Sequence, residues 1–193
     1  MPETIKDGSG TGYLAKVNSG NELRTRATII EERLHAAIDN NYYEISTGII
    51  TLTDAVEKGI IYFINNGVVP LVIDRVLVDT WTSTGATTLN GIMNYHRNPV
   101  ITGGTIILSI NSNFQFTGVI PIGGLKSLAT MTGLNWTTGS IAQNSTVVLI
   151  EGRLVVPTGF SFGISYTAPV GNTHQDISMN VGIYEFDPEL IGL

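Results

Sequence analysis

The sequence predicts an all-β protein, a jelly-roll-like antiparallel β-sandwich over 41–193, preceded by an extended N-terminal arm over 1–40 that holds a short helix or strand. Three observations predict it. From position 43 onward, short β-branched apolar segments recur between Gly, Asn and Pro residues, which is the pattern of successive short strands joined by turns. No part of that region keeps a helical period. The first forty residues have another texture: five of the 10 Lys and Arg lie there among Gly, Ser and Asn. At 193 residues the chain suffices for one well-buried domain, or one domain plus a tail.

In chain order, residues 1–21 are rich in Gly, Ser, Asn and Thr, with one apolar patch at Tyr13, Leu14, Ala15 and Val17. That composition belongs to an arm rather than to a core element. Over 22–39, Leu23, Ile30, Leu34 and Ile38 recur at loosely helical intervals, while Thr25, Thr28, Ile29 and Ile30 suit a strand equally well. Strands are then expected at Tyr43–Ile45, Gly48–Leu52 and Ile60–Asn65, with a turn at Asn66-Gly67. Leu71 to Asp79 alternates, but neither face is wholly apolar, which suits an edge or an interface. Further strands are expected at Thr87–His96, Thr105–Ile110, Phe114–Ile120, Thr146–Glu151, Arg153–Val156, Phe160–Tyr166 and Asp176–Glu185. A bend is expected at Glu151-Gly152 and a tight turn at Pro157-Thr158-Gly159. The glycine-rich stretch from Pro121 to Gln143 lacks periodicity and reads as a long loop.

Composition removes several functions. A net charge of −6 leaves no basic footprint for nucleic acid. Zero cysteines remove disulfides, thiol chemistry and Cys-ligated zinc. The opening MPETIKDGSG lacks the apolar centre of a signal peptide. The longest apolar run, Ile60 to Ile64, is strand-sized, so no membrane partner is expected. The protein is expected to be made in a cytoplasm.

The search for chemistry finds isolated groups. His35, His96 and His174 stand apart, without the i, i+2 pair and nearby acid that would bring ligands to one metal. His96 reads as a surface or loop residue. Asp74 and Asp79 share a strand at odd spacing and are expected on opposite faces. Asp54 and Glu57, and Asp187 and Glu189, read as solvated charges rather than a glycosidase pair. GSGTG at Gly8 to Gly12 lacks the Lys-Ser/Thr ending of a phosphate loop. No catalytic residue, metal or cofactor is assigned, and the chain is expected not to be an enzyme. Trp81, Tyr95 and Trp136, with Tyr42 and Tyr43, fall in or near expected loops. As exposed rings, Trp81, Tyr95 and Trp136 are candidate glycan contacts; as buried ones they are core or subunit contacts.

The most informative stretch is charge-poor. Between Thr80 and Ile150 the only charged side chains are Arg97 and Lys126. Soluble surfaces ordinarily carry dispersed charge that resists association, so this stretch suggests a surface that meets other protein.

The opening run Lys6-Asp7-Gly8-Ser9-Gly10-Thr11-Gly12-Tyr13-Leu14-Ala15-Lys16-Val17, continuing to Asn21-Glu22-Leu23, resembles the N-terminus of virion structural proteins of tailed bacteriophages. The later GIITLT and IIYFINNG segments are similar as well. The arm match covers about a tenth of the chain. The resemblance implies a jelly-roll or related capsid-associated protein that decorates the head or joins a vertex or fibre assembly. It implies as partners the major capsid protein or other virion proteins, and further copies of itself, as a trimer or larger multimer. The arm would be pinned to a neighbour by Tyr13, Leu14, Val17 and Leu23, with Arg24 and Arg26 beside them. No catalytic residue comes with the resemblance, and the location it implies is the virion.

Overall fold

The computed structural model describes residues 5–6, 14–15, 41–111, 118, 120–133 and 135–186, with the backbone alone at 5–6, 14–15, 135–138 and 149–153. The chain divides into two compact units, Met1–Glu31 and Glu32–Leu193. In the first, β1 (Ile5–Lys6) pairs antiparallel with β2 (Leu14–Ala15). The helix or strand expected over 22–39, and most of the strand expected over Phe114–Ile120, lie outside the described residues.

The second unit is built of β3 (Tyr42–Leu52), β4 (Lys58–Asn65), β5 (Leu71–Thr80), β6 (Asn90–Arg97), β7 (Val100–Thr102), β8 (Thr105–Ile106), β9 (Ser109–Asn111), β10 (Ile122–Ser127), β11 (Thr130–Thr132), β12 (Asn135–Ala142), β13 (Ser145–Val156), β14 (Ser161–Thr167) and β15 (Gln175–Glu185). One sheet runs β13-β5-β15-β3-β9 and the other β12-β6-β14-β4-β10-β8; β7 and β11 form a separate pair. Consider the eight principal strands β3, β4, β5, β6, β12, β13, β14 and β15. The first pairs with the last, the second with the seventh, the third with the sixth and the fourth with the fifth, all antiparallel. That nesting is a hairpin rolled around a core, so the fold is a jelly roll, as expected. β7 to β11 are an insertion between its fourth and fifth strands.

One core lies between the sheets. Tyr43, Ile45, Ile73, Val76, Val78, Ile177, Met179, Val181 and Ile183 come from the five-stranded sheet, and Ile61, Phe63, Met93, Tyr95, Phe162, Ile164 and Tyr166 from the six-stranded one. Each buried branched or aromatic side chain contributes roughly 1.5–3 kcal/mol relative to exposure, which orders strands too short to persist alone.

Several expectations change at bulges. On β15 the partners of Gly182 and Ile183 are Arg75 and Ile73, so Asp74 is an extra residue in β5. An extra residue reverses the inside–outside phase. Leu71 and Ile73 point to the core before it, and Val76 and Val78 after it. This is why β5 shows no clean apolar face in sequence. It also turns Asp74 and Asp79 to the same outer face, not to opposite ones. The bend expected at Glu151-Gly152 is a register shift inside continuous β13. The two strands expected over 43–52 are one strand, with Gly48 at φ +62° between them.

The stretch 121–143 is not a loop but β10, β11 and β12. Gly124 (φ +60°) and Leu128 (φ +55°) interrupt it, so each piece takes its register from a distant partner rather than from local alternation. The Asn66-Gly67 signal does mark a turn, but a crossover between the two sheets. Asn65 holds it: its buried amide donates to the carbonyls of Val69 and Val156, each at 2.9 Å, and its Oδ1 accepts from Gly67 N at 2.9 Å. The Pro157 turn forms as expected, with Phe160 N donating to Pro157 O at 3.1 Å and Gly159 at φ +78°.

Candidate functional site

The outer face of the five-stranded sheet accounts for most described acids. Asp79 accepts from Thr146 Oγ1 at 2.6 Å and from Ser178 Oγ at 3.4 Å, and Asp176 from Thr51 Oγ1 at 2.6 Å. Each of these partners stands directly opposite in a neighbouring strand. Tyr42 donates to Asp74 at 2.9 Å, Arg75 to Glu44 at 3.1 Å, and Tyr43 to Glu185 at 2.5 Å. Burial and then the carboxylate partners raise both tyrosine hydroxyls well above their ordinary range. Among the described residues these carboxylates are held apart by their own cross-strand donors.

The aromatic candidates do not converge either. Trp81 follows β5 at one end of the sandwich and is 41% exposed. It borders a groove of about 160 Å³ shared with Asp79, Thr80, Asn144, Ser145 and Thr146. Tyr95, expected near a loop, is in β6 and only 7% exposed, stacked on Phe162 with ring centroids 6.3 Å apart. It alternates with Met93 toward the core, and burial pushes its hydroxyl up to about 12. Tyr42 and Tyr43 are likewise buried strand residues. Trp136 lies in β12 by its backbone, and its side chain is outside the described residues. So are Tyr13, Val17, Leu23, Arg24, Arg26 and the side chain of Leu14.

The exposed apolar surface gathers elsewhere. The segment Thr105–Asn111 leaves the six-stranded sheet as β8, which among the described residues is an end strand paired with β10, and enters the five-stranded sheet as β9, paired with β3. Such a sheet-switching strand closes one side of a sandwich. Ile107 turns inward onto the core. Ile106, Leu108 and Ile110 turn outward and are 75%, 78% and 65% exposed. The two charges registered beside this row are engaged internally. Lys126, opposite Ile106, donates to Gly103 O at 3.1 Å, and Glu44, opposite Ile110, accepts from Arg75. The row is therefore apolar, exposed and flanked by charges engaged within the chain. Its alternation was visible in TIILSI, but sequence could not say which parity faces out.

At the other end of the sandwich from Trp81, a cleft of about 310 Å³ is lined by Arg97, Leu154, Val155, Val156, Pro157, Phe160, Ser161 and Phe162. Arg97 lies over the Phe160 ring, 5.8 Å from its centroid, a cation–π contact.

A second constellation was missed in sequence. His96 is a buried strand residue, not a surface or loop one. On the outer face of the six-stranded sheet its Nε2 lies 2.7 Å from Ser165 Oγ and 3.4 Å from Glu57 Oε1. Ser165 donates to the same Glu57 oxygen, as does Asn94 Nδ2 at 2.9 Å. Since the hydroxyl donates to Glu57, its oxygen accepts from His96, which places the imidazole proton on Nε2. Burial raises the Glu57 carboxyl, but donors Ser165 and Asn94, then the charge of His96, hold it below its ordinary value. Burial lowers His96, and the Glu57 charge only partly opposes this. A nucleophilic triad needs the serine and the acid on opposite ring nitrogens. Here both meet Nε2, and Ser165 is fully buried, so the arrangement is a structural relay. Nothing local in sequence joins Glu57 to Ser165, 108 residues away.

No protein-family model matches the chain, and no curated protein matches it. Among solved structures, the infectious bursal disease virus VP2 subviral particle aligns at 11% identity over 79% of this chain and 43% of that one, with a TM-score of 0.18. Infectious bursal virus derived T=1 particles align at 12% identity over 79% and 42%, with a TM-score of 0.17. The chain thus spans less than half the length of these proteins. The jelly roll is given by the nested strand order of this chain itself.

Proposed function

We propose that the protein is a non-enzymatic structural component of a virion, a capsid decoration, cement or minor head protein of a tailed bacteriophage. It binds the shell and neighbouring copies, as a trimer, through its N-terminal arm and its charge-poor β-surface. The observation that carries this reading is the row Ile106, Leu108 and Ile110 on the sheet-switching strand. An end strand with an exposed apolar row is a liability in a monomer, and native proteins usually blunt such edges with charge or Pro. Here 105–111 has neither charge nor Pro, and the only charged side chains in 80–150 are Arg97 and Lys126, so the edge suits burial against protein. Support for the phage placement comes from the KDGSGTG arm.

The test is co-sedimentation with undecorated capsids. Wild type is expected to sediment with the particles, and Leu108→Lys, folded by circular dichroism, is expected to stay behind. Equal sedimentation of both would sink the reading. Removal of residues 1–25 tests the arm separately.

A second reading rests on Trp81, whose exposed ring beside the Asn144–Thr146 groove suits a carbohydrate-binding domain of a fibre or tail. It requires saturable glycan binding that Trp81→Ala abolishes; an empty glycan array would remove it.

A further inference from the structure

The relay on the outer face of the six-stranded sheet sits beneath a separate cover. His96 is registered opposite Gly163 of β14, and Ser165 opposite Gly59 of β4. Over these two glycines the β7–β11 pair lies directly on the sheet. A Cβ at Gly163 would meet Met131 Sδ at 2.7 Å and Pro99 Cγ at 3.2 Å, and one at Gly59 would meet Ala129 O and Met131 Cε, each at 2.6 Å. The side of the enclosure is the loop between β3 and β4, which ends in Glu57.

His96 is 2% exposed, and among the described residues its Nδ1 has no hydrogen-bond partner. With the first proton on Nε2, a second can go only to Nδ1. There it creates a buried donor without an acceptor among the described residues, and such a group carries its full desolvation cost. Glu57 attracts the imidazolium, yet its Oε1 already serves Nε2, Ser165 and Asn94 and does not reach Nδ1. The other charges near the enclosure are engaged elsewhere: Lys58 with Asp54 at 3.5 Å, Lys126 with Gly103 O, and Arg97 with Phe160. Strands β7, β11, β12 and β14 bring no Lys, Arg, Asp or Glu.

We propose that His96, Ser165 and Glu57 form an acid-operated latch. When His96 takes up a proton on Nδ1, the β11 cover and the 53–57 loop lift from the sheet while the core between the sheets stays closed. The downward shift of His96 through burial agrees with a ring that resists charge while the cover is on. The inference does not depend on the assembly reading.

The test is hydrogen–deuterium exchange of the full chain at about pH 7.5 and about pH 5, normalised for the intrinsic rate. In wild type, exchange over 128–132 and 53–58 is expected to accelerate about tenfold or more at the lower pH, without change in Gln175–Glu185. His96→Gln, whose amide can still donate to Ser165, is expected to hold both segments closed at both pH values. His174→Gln, an exposed histidine near Asp176, is expected to behave as wild type. Unchanged protection in wild type, or equal acid opening in His96→Gln, would overturn the latch. Should His96→Gln fail to fold, ¹⁵N titration of the wild-type imidazole decides. Titration in step with opening supports the latch, and titration without opening refutes it.

Discussion

Gly59 of β4 carries Ala129 directly on its backbone. Its amide donates to Ala129 O at 2.8 Å, and a Cβ at 59 would stand 2.6 Å from that same oxygen. The β11 cover is thus seated by a main-chain bond on a position with no side chain. The first prediction follows from that contact. Gly59→Ala must push away a backbone atom, so it is expected to destabilise by about 1–3 kcal/mol, the usual cost of overpacking. Gly139→Ala in β12 meets open space and is expected to be within about 0.5 kcal/mol of wild type, as for ordinary surface changes. Urea denaturation of the two variants beside wild type checks this, and equal midpoints would refute the seating.

Asn65 governs the crossover between sheets. It is fully buried, and its amide ties the end of β4 to Val69 before β5 and to Val156 at the end of β13. Asn65→Ala removes both donors and strands two carbonyls, at about 1–3 kcal/mol for each buried group left unsatisfied. The expected loss is therefore about 2–4 kcal/mol, with Asn65→Asp nearly as damaging, because a carboxylate cannot donate to either carbonyl. Thermal melts of both variants test this; a melting temperature unchanged in Asn65→Ala would contradict it.

The sandwich was legible because its central strands bury alternating residues. Phe162, Ile164 and Tyr166 announce themselves, and so does the Pro157 turn. What could not be read was set by non-local geometry. The extra residue at Asp74 reverses β5 halfway, and only the register with β15 reveals it. β10 to β12 carry glycines and threonines whose pairing is decided by β4, β6 and β7. His96 looked solitary because its partners, Glu57 and Ser165, come from distant positions. The apolar row at 106–110 was present as alternation, but the outward parity depends on Ile107 finding the core. Charge poverty marked the stretch 80–150 without naming the strand that carries the exposed row.

Stability is expected to fall on acidification. The folded state holds His96 below its ordinary value of 6.5, through burial, so the unfolded chain binds the proton first. Between 6.5 and the lower folded value the unfolded state carries more protons, and stability declines as pH falls through that window. Glu57, held below 4.5, adds a second loss as pH falls from there through its folded value. Urea midpoints measured from about pH 7.5 down to about pH 5 should decline in wild type and flatten in His96→Gln. A slope unchanged by that substitution would assign the acid sensitivity to other groups.

Association through the 106–110 row has a distinctive salt response. Ion-paired interfaces weaken as salt shortens the screening length from roughly 10 Å at 0.1 M to about 3 Å at 1 M. An interface centred on Ile106, Leu108 and Ile110, with Lys126 and Glu44 already satisfied inside the chain, has little charge to screen. Sodium chloride over that range is therefore expected to leave self-association or particle binding nearly unchanged. Sulfate, which strengthens apolar burial by exclusion from protein surface, is expected to tighten it. Light scattering across both salt series reads the two responses directly. Dissociation by sodium chloride would show that charges carry the contact, and would shift attention to the Arg-bearing arm and Arg97. Tightening by sulfate that Leu108→Lys abolishes would locate the contact on the sheet-switching strand.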